Sequence, residues 1–267
     1  MNVFLIRILN AMSRFVFVIF SAAALSSCDE FVTVDLPTSQ LSGPTVFEDV
    51  ATADAALGYI YAKLRDEVLL QGNSSGIGCL MGHYADELDY YSSGNLAPQF
   101  FYQNNVLPSN VTIRTLWNGT YQLVYAANAV IEGVQQSSSL SVADKERLLG
   151  EALFLRAYLH FYLVNLFGEI PYVISTDYVT NASISKSSVL DIYSFITTDL
   201  QQSATLLPSA YMSFERTRPN KSVVYALLAR VKLYSSDWAQ AVPYQVKKIA
   251  VEDAYKAFSN GCRKATQ

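Results

Sequence analysis

The chain has 267 residues, 51% of them hydrophobic and 16% charged, with a formal net charge of -4. This is ample apolar material for a sizeable core and too apolar a balance for a disordered chain. The acidic balance leaves no basic footprint for nucleic acid, which excludes that class of partner.

The first element in chain order is a leader. Arg7 and Arg14 precede or open an apolar run from Phe15 to Leu25, and the run ends at Leu25-Ser26-Ser27-Cys28. A basic segment, a short apolar segment and small residues before a cut make a secretory signal peptide. The run is shorter than the roughly 20 residues that span a bilayer, so a transmembrane anchor is the weaker reading. Met12 is an alternative start, because Ser13-Arg14 still provides a basic segment. Cys28 stands where a bacterial lipoprotein cysteine stands. Residues 1–27 therefore read as a lipoprotein signal peptide, and acyl chains on Cys28 would hold the mature protein to a membrane. Removing Arg7 and Arg14 with the leader takes the charge from -4 to -6.

Residues 28–46 are polar and carry Pro, Ser and Thr, as a lipid-anchored leader into the domain would; Phe31-Val32-Thr33-Val34 could add a short strand. Helical periodicity then dominates. It predicts helices over 50–68, with Thr52 as a possible cap, and over 113–134, with Trp117 and Tyr121 on the apolar face. The strongest helix covers 142–167, starting at Ser141 with Asp144 three residues on and stopping at Gly168 and Pro171. It is apolar on nearly every face, which requires neighbouring helices all round. Further helices are predicted over 189–207, begun by Ser188 and Asp191 and ended before Pro208, and over 222–235. Another starts at Ala239 after the break at Asp237-Trp238. Small Ala226, Ala229 and Ala241 would let the last two helices approach closely, as in a tetratricopeptide repeat. The segments 70–112 and 172–187 read as long loops. A loop as long as the first is usually functional or disordered.

The chain shows little catalytic chemistry. His83 and His160 are its two histidines. His160 lies in the apolar helix and reads as a packed or hydrogen-bonded core residue. His83 precedes Asp86, Glu87 and Asp89, but no H-E-x-x-H or Cys/His pair accompanies it, and the acids lack calcium-loop spacing. No metal or cofactor is expected, and no phosphate or dinucleotide motif is present. Arg156, a charge inside the apolar helix, must pair with Glu151 or with an acid on a neighbouring helix. Cys79 and Cys262 read as free thiols, although an exported protein would permit a disulfide. The 18 Tyr and 14 Phe either line helix interfaces or offer sugar-stacking surfaces. Trp117 is read as core. The ligand candidates are Tyr84, Tyr90, Tyr91, Phe101 and Tyr102 in the loop, with Asp86 and Asp89 to bond hydroxyls. The alternative is that these rings plug the loop onto the helices.

Four stretches in order resemble the SusD/RagB family of outer-membrane nutrient-binding lipoproteins of Bacteroidetes. The first is Cys28-Asp29-Glu30 with Val34-Asp35-Leu36-Pro37, then Phe47 and Ala53-Asp54-Ala55 leading to Tyr61. The second runs from Leu116-Trp117 through Tyr121 to Ala127-Asn128 and Ile131. The third and most specific runs from Gly150-Glu151-Ala152 through Arg156-Ala157-Tyr158 to Phe167-Gly168-Glu169-Ile170-Pro171. The fourth is Arg218-Pro219-Asn220-Lys221, then Ala226 to Arg230, Tyr234 and Asp237-Trp238.

The resemblance covers residues 25–242 and implies an all-α fold of tetratricopeptide-like helix pairs with long loops, here incomplete. The expected organisation is residues 47–242 as the helical N-terminal domain and 243–267 as a divergent tail. Family members run further, so a truncated gene, a frameshift or a partial gene sequence would account for the ending, and a product of reduced stability is expected. By resemblance the protein binds glycans or other nutrients without catalysis, on the cell outer membrane. Asp29-Glu30 would signal surface export, and a TonB-dependent transporter would be the partner. The alternative is a tetratricopeptide-like scaffold lipoprotein that binds another envelope protein.

Overall fold

The computed structural model describes residues 43–91 and 96–246. The leader, Cys28, Asp29-Glu30, the 31–34 segment and Cys262 lie outside the described residues, and with them the pairing of Cys262 with Cys79. The described chain forms α1 (Gly43–Val46), α2 (Val50–Asp66), α3 (Ile77–Tyr84), α4 (Ala97–Tyr102), α5 (Val111–Gln136), α6 (Val142–Phe167), α7 (Tyr178–Ala182), α8 (Val189–Leu206), α9 (Lys221–Tyr234) and α10 (Trp238–Val246). Among the described residues the extended pairing is a single bridge, Ile170 with Ser187.

The helix starts follow from side-chain caps. Ser141 Oγ accepts from the Asp144 backbone N–H, and Ser188 Oγ accepts from that of Asp191. Each satisfies one of the donors a helix start leaves unpaired. The cap of α2 is Asp49, not Thr52: its Oδ1 accepts from Ala51 N at 2.8 Å and Thr52 N at 3.3 Å. Thr52 instead sends its hydroxyl back to the Asp49 and Val46 carbonyls. Gly168 ends α6 with φ 75°, a left-handed conformation that favours glycine.

α6 is the centre of the bundle. It packs along α5 on one side and α8 on the other, with α2 and α9 closing further faces. Leu148, Ala152, Leu155, Leu159 and Leu163 are almost or fully buried along it. α9 and α10 form a helix–turn–helix about Ser236, which takes φ 59°. Ala229 and Ala241 are buried, while Ala226, expected at that contact, is exposed. α10 begins at Trp238 and continues through Pro243.

The core carries a polar seam. Arg156 grips Asp199 of α8 through two nitrogens, Nε to Oδ2 and Nη2 to Oδ1, both at 2.7 Å. Its Nη1 donates to Asn128 of α5 at 2.9 Å. Tyr172 donates its hydroxyl to Asp199 at 2.6 Å, and Asn128 donates to the Val173 carbonyl. Burial first, then the Asp199 charge, holds the Tyr172 hydroxyl well above the ordinary tyrosine pKa. His160 is fully buried, with Nδ1 bonded to the Arg156 carbonyl and Nε2 accepting from Val173 N. That pair of bonds requires the neutral ring with its proton on Nδ1. Three helices and the 170–175 crossing thus meet at one bidentate ion pair. Glu151, the other candidate partner, belongs to a second cluster, where Arg147, Arg218 and the Tyr61 hydroxyl all donate to it. Asp54 completes that cluster by accepting from both arginines.

Two stretches expected as loops contain helix. The segment 70–112 holds α3 and α4, and 172–187 holds α7, capped by Asp177. α4 and α7 are too short to display a periodicity, and α3 lacks a capping side chain at Gly76.

Candidate functional site

α3, α4 and the turns around them form an excursion from the bundle. The turn after α3 folds back on the helix: Glu87 N and Leu88 N both donate to the Gly82 carbonyl, at 2.8 and 3.1 Å. Leu88 then lies on Gly82, where any Cβ would meet Leu88 Cδ1 at 2.8 Å. Asp86 turns the chain with φ 57°. His83, only 7% exposed, bonds through Nδ1 to the Leu88 carbonyl at 3.0 Å. Its ring meets Tyr90 and Tyr102 edge-on, with centroids 6.0 and 6.3 Å away. The histidine weighed above for a metal is therefore the hub of an aromatic corner.

The rings of this corner face outward to different degrees. Tyr84 is 50% exposed, Tyr91 89% and Tyr102 37%, while Tyr90 is half-buried. The Tyr91 hydroxyl donates to Asp89 Oδ2 at 2.9 Å, which restrains a ring that otherwise stands in water. Asp86, Glu87 and Asp89 are exposed beside it. Phe101 is placed differently from these tyrosines. At 2% exposure its ring belongs to the core, where α4 seats it against the bundle, and with Tyr84 it lines the smaller of the two clefts described below. The structure thus sets Tyr90 and Tyr102 about His83 and bonds Tyr91 to Asp89, leaves Tyr84 and Asp86 exposed at the end of α3 and on the turn after it, and buries Phe101 in the core.

Beside the corner lies a cleft of about 620 Å³ between the 106–109 turn, the start of α5 and the end of α6. Trp117 forms one wall, half-buried against Phe167 edge-on at 5.0 Å and Tyr121 at 4.9 Å. Arg114 lies exposed on its rim. A smaller cleft of about 300 Å³ shares Val106, Ile113, Leu166 and Phe167 with it and reaches Tyr84. Both volumes are within or at the edge of the range of small-molecule sites. Three distant segments assemble these walls, so no local pattern in the sequence marks them.

A bundle of helix pairs with outward-facing rings on a lateral excursion defines a class, helical proteins that present an aromatic surface without enclosing it in a barrel or sheet. The chain belongs to the SusD-like family: the family model described as "Starch-binding associating with outer membrane" (SusD-like_3) matches residues 78–233. SusD-like protein P2 of Formosa agariphila is 30% identical over 216 residues, covering 77% of this chain and 40% of its own length. A SusD-like protein of Bacteroides ovatus is 29% identical over 70% of this chain and 34% of its own. Among solved structures, a SusD superfamily protein of Bacteroides vulgatus aligns with a TM-score of 0.63 at 22% identity, over 74% of this chain and 42% of that one. A laminarin-binding SusD-like protein aligns with a TM-score of 0.61 at 21% identity, over 73% and 42%. The structural likeness establishes the all-α SusD-like fold, and the chain spans well under half the length of these relatives.

Proposed function

We propose that the protein is a non-catalytic glycan-binding lipoprotein of the outer membrane, exposed at the cell surface and working with a TonB-dependent transporter in nutrient uptake. The observation that carries the glycan reading is the corner itself. Flat apolar ring faces at Tyr84, Tyr91 and Tyr102 stand in solvent, beside carboxylates that can accept from sugar hydroxyls. The family description and the laminarin-binding relative support the same reading. The lipid on Cys28 and the export signal Asp29-Glu30 supply the membrane attachment and its outward facing in this proposal.

The test has two arms. The mature full chain is run in native gels cast with a panel of polysaccharides, and retardation by at least one is expected. The same protein, tagged and purified from its host membranes, is expected to bring down a TonB-dependent transporter. Retardation by none of the panel, with stable capture of another envelope protein, would favour the scaffold reading.

A further inference from the structure

We infer that the aromatic corner takes an uncharged glycan and discriminates against polymers bearing carboxylate or sulfate groups. The inference rests on the glycan-binding reading and refines its substrate class. Its basis is the charge carried by the segment that forms the corner. From Asp66 to Ile113 the chain contains no lysine or arginine. Asp86, Glu87 and Asp89 all stand exposed on the turn between Tyr84 and Tyr91. Among the described residues none of the three takes part in an ion pair. The next cation along the chain, Arg114, belongs to the rim of the adjacent cleft beside Trp117.

Stacking fixes how close a charged sugar would have to come. A pyranose on the Tyr91 ring lies in van der Waals contact with it. Asp89 is bonded to that ring's own hydroxyl at 2.9 Å. Any uronate or sulfate on the stacked residue or its neighbours then falls within the Debye length of about 10 Å at 0.1 M salt, where like charges repel. A neutral sugar meets the same carboxylates as acceptors, and hydroxyl-to-carboxylate bonds are the stronger, charge-assisted kind. The acids therefore act with opposite sign on the two ligand classes.

Laminarin and soluble starch, each compared with its carboxymethylated and its hydroxyethylated derivative, separate charge from bulk. With the full mature chain in affinity electrophoresis, at least one parent polymer is expected to bind, and its hydroxyethyl derivative to bind about as well. The carboxymethyl derivative should bind about tenfold more weakly in low salt, with the gap narrowing as salt screens the charges. Combined Asp86→Asn and Glu87→Gln, which leaves the Asp89–Tyr91 bond in place, should narrow the gap in low salt. Equal or tighter binding of the carboxymethyl polymer, or a low-salt gap that the double variant leaves unchanged, would overturn the inference and leave glycan binding standing. Binding of none of the six polymers, and of none of the wider panel, would instead overturn the glycan reading and this inference with it.

Discussion

Around α6 four tyrosines turn their hydroxyls onto protein, whereas on the α3–α4 excursion Tyr84 and Tyr91 turn their rings to water. Tyr61 reaches Glu151, Tyr121 the Pro171 carbonyl, Tyr172 Asp199 and Tyr193 Asn165. On the excursion Tyr84 and Tyr91 are at least half exposed, and the histidine between the strandless turns is the buried partner. A phenol with its hydroxyl bonded and its ring packed is a structural joint. The same phenol with its ring in solvent contributes little to folding and is available to a ligand. One residue type thus has two uses in one chain, and substitutions should separate them cleanly.

The largest effect should come from the polar seam. The Arg156 and Asp199 side chains are 9% and 8% exposed. Asp199→Ala strands the guanidinium, and removing one partner of a buried pair costs about 3–5 kcal/mol. Urea unfolding should show that loss. Arg156→Leu combined with Asp199→Leu should recover part of it, because an apolar replacement of both partners leaves no buried charge. If the single variant unfolds at the wild-type urea concentration, α6 and α8 are held by apolar packing alone and the seam adds nothing to the fold.

Next in size is the response to acid. Burial first, and the nearby Arg156 charge, lower the His160 pKa from 6.5 to about 4, against the opposing bond to the Arg156 carbonyl. In the unfolded chain the ring protonates near 6.5, but in the fold it stays neutral until about pH 4. Between those values the unfolded state holds the extra proton, so stability falls as pH drops through that window. At about 1.4 kcal/mol per pH unit this totals about 3 kcal/mol, and below pH 4 the contribution stops growing. Melts from pH 7 to pH 4 should show the slope, and His160→Asn should flatten it whatever that variant does to stability at pH 7.

The bundle side of this contrast is legible in the sequence because its causes are local or periodic. Ser141 and Ser188 each cap a helix with an Asp three residues on, and α6 runs over Val142–Phe167 as its apolar pattern and Gly168 require. Arg156 had to find an acid, and the partner proved to be Asp199, not Glu151, since the choice depends on which helix faces it. The excursion was only half legible. Its tyrosines and acids stand out, but a long irregular segment hides α3 and α4. Burial of Phe101 and the hub role of His83 depend on how the turn returns to Gly82, a tertiary fact. The Trp117 cleft joins residues from three segments and leaves no spacing to read.

A third comparison sets one tyrosine against another inside and outside the bundle. Tyr121→Phe leaves the Pro171 carbonyl without its 2.8 Å donor. Losing a half-buried bond where α6 gives way to the crossing costs about 0.5–1.5 kcal/mol. The variant should melt lower while retaining whatever glycan binding the wild type has, because the corner is untouched.

Tyr91→Ala is the mirror of that variant and has the smallest expected effect on the fold. The ring is 89% exposed, so its removal takes almost no apolar surface out of the core. What is lost is one exposed bond to Asp89, and exposed substitutions of this kind usually stay within about 0.5 kcal/mol of wild type. On the glycan reading, the same substitution removes a stacking face, an interaction that aromatic–ligand pairs put at about 1 kcal/mol or more, so affinity should fall roughly fivefold or beyond. Tyr91→Phe distinguishes the ring from its hydroxyl: the stacking face remains while the Asp89 bond is lost, and binding should fall much less than in Tyr91→Ala. Melting curves and gel retardation on the same preparations read both quantities. A Tyr91→Ala protein that melts several degrees lower would place this ring among the structural joints, and one that melts and binds as wild type would move the ligand surface away from Tyr91, toward Tyr84 or the Trp117 cleft.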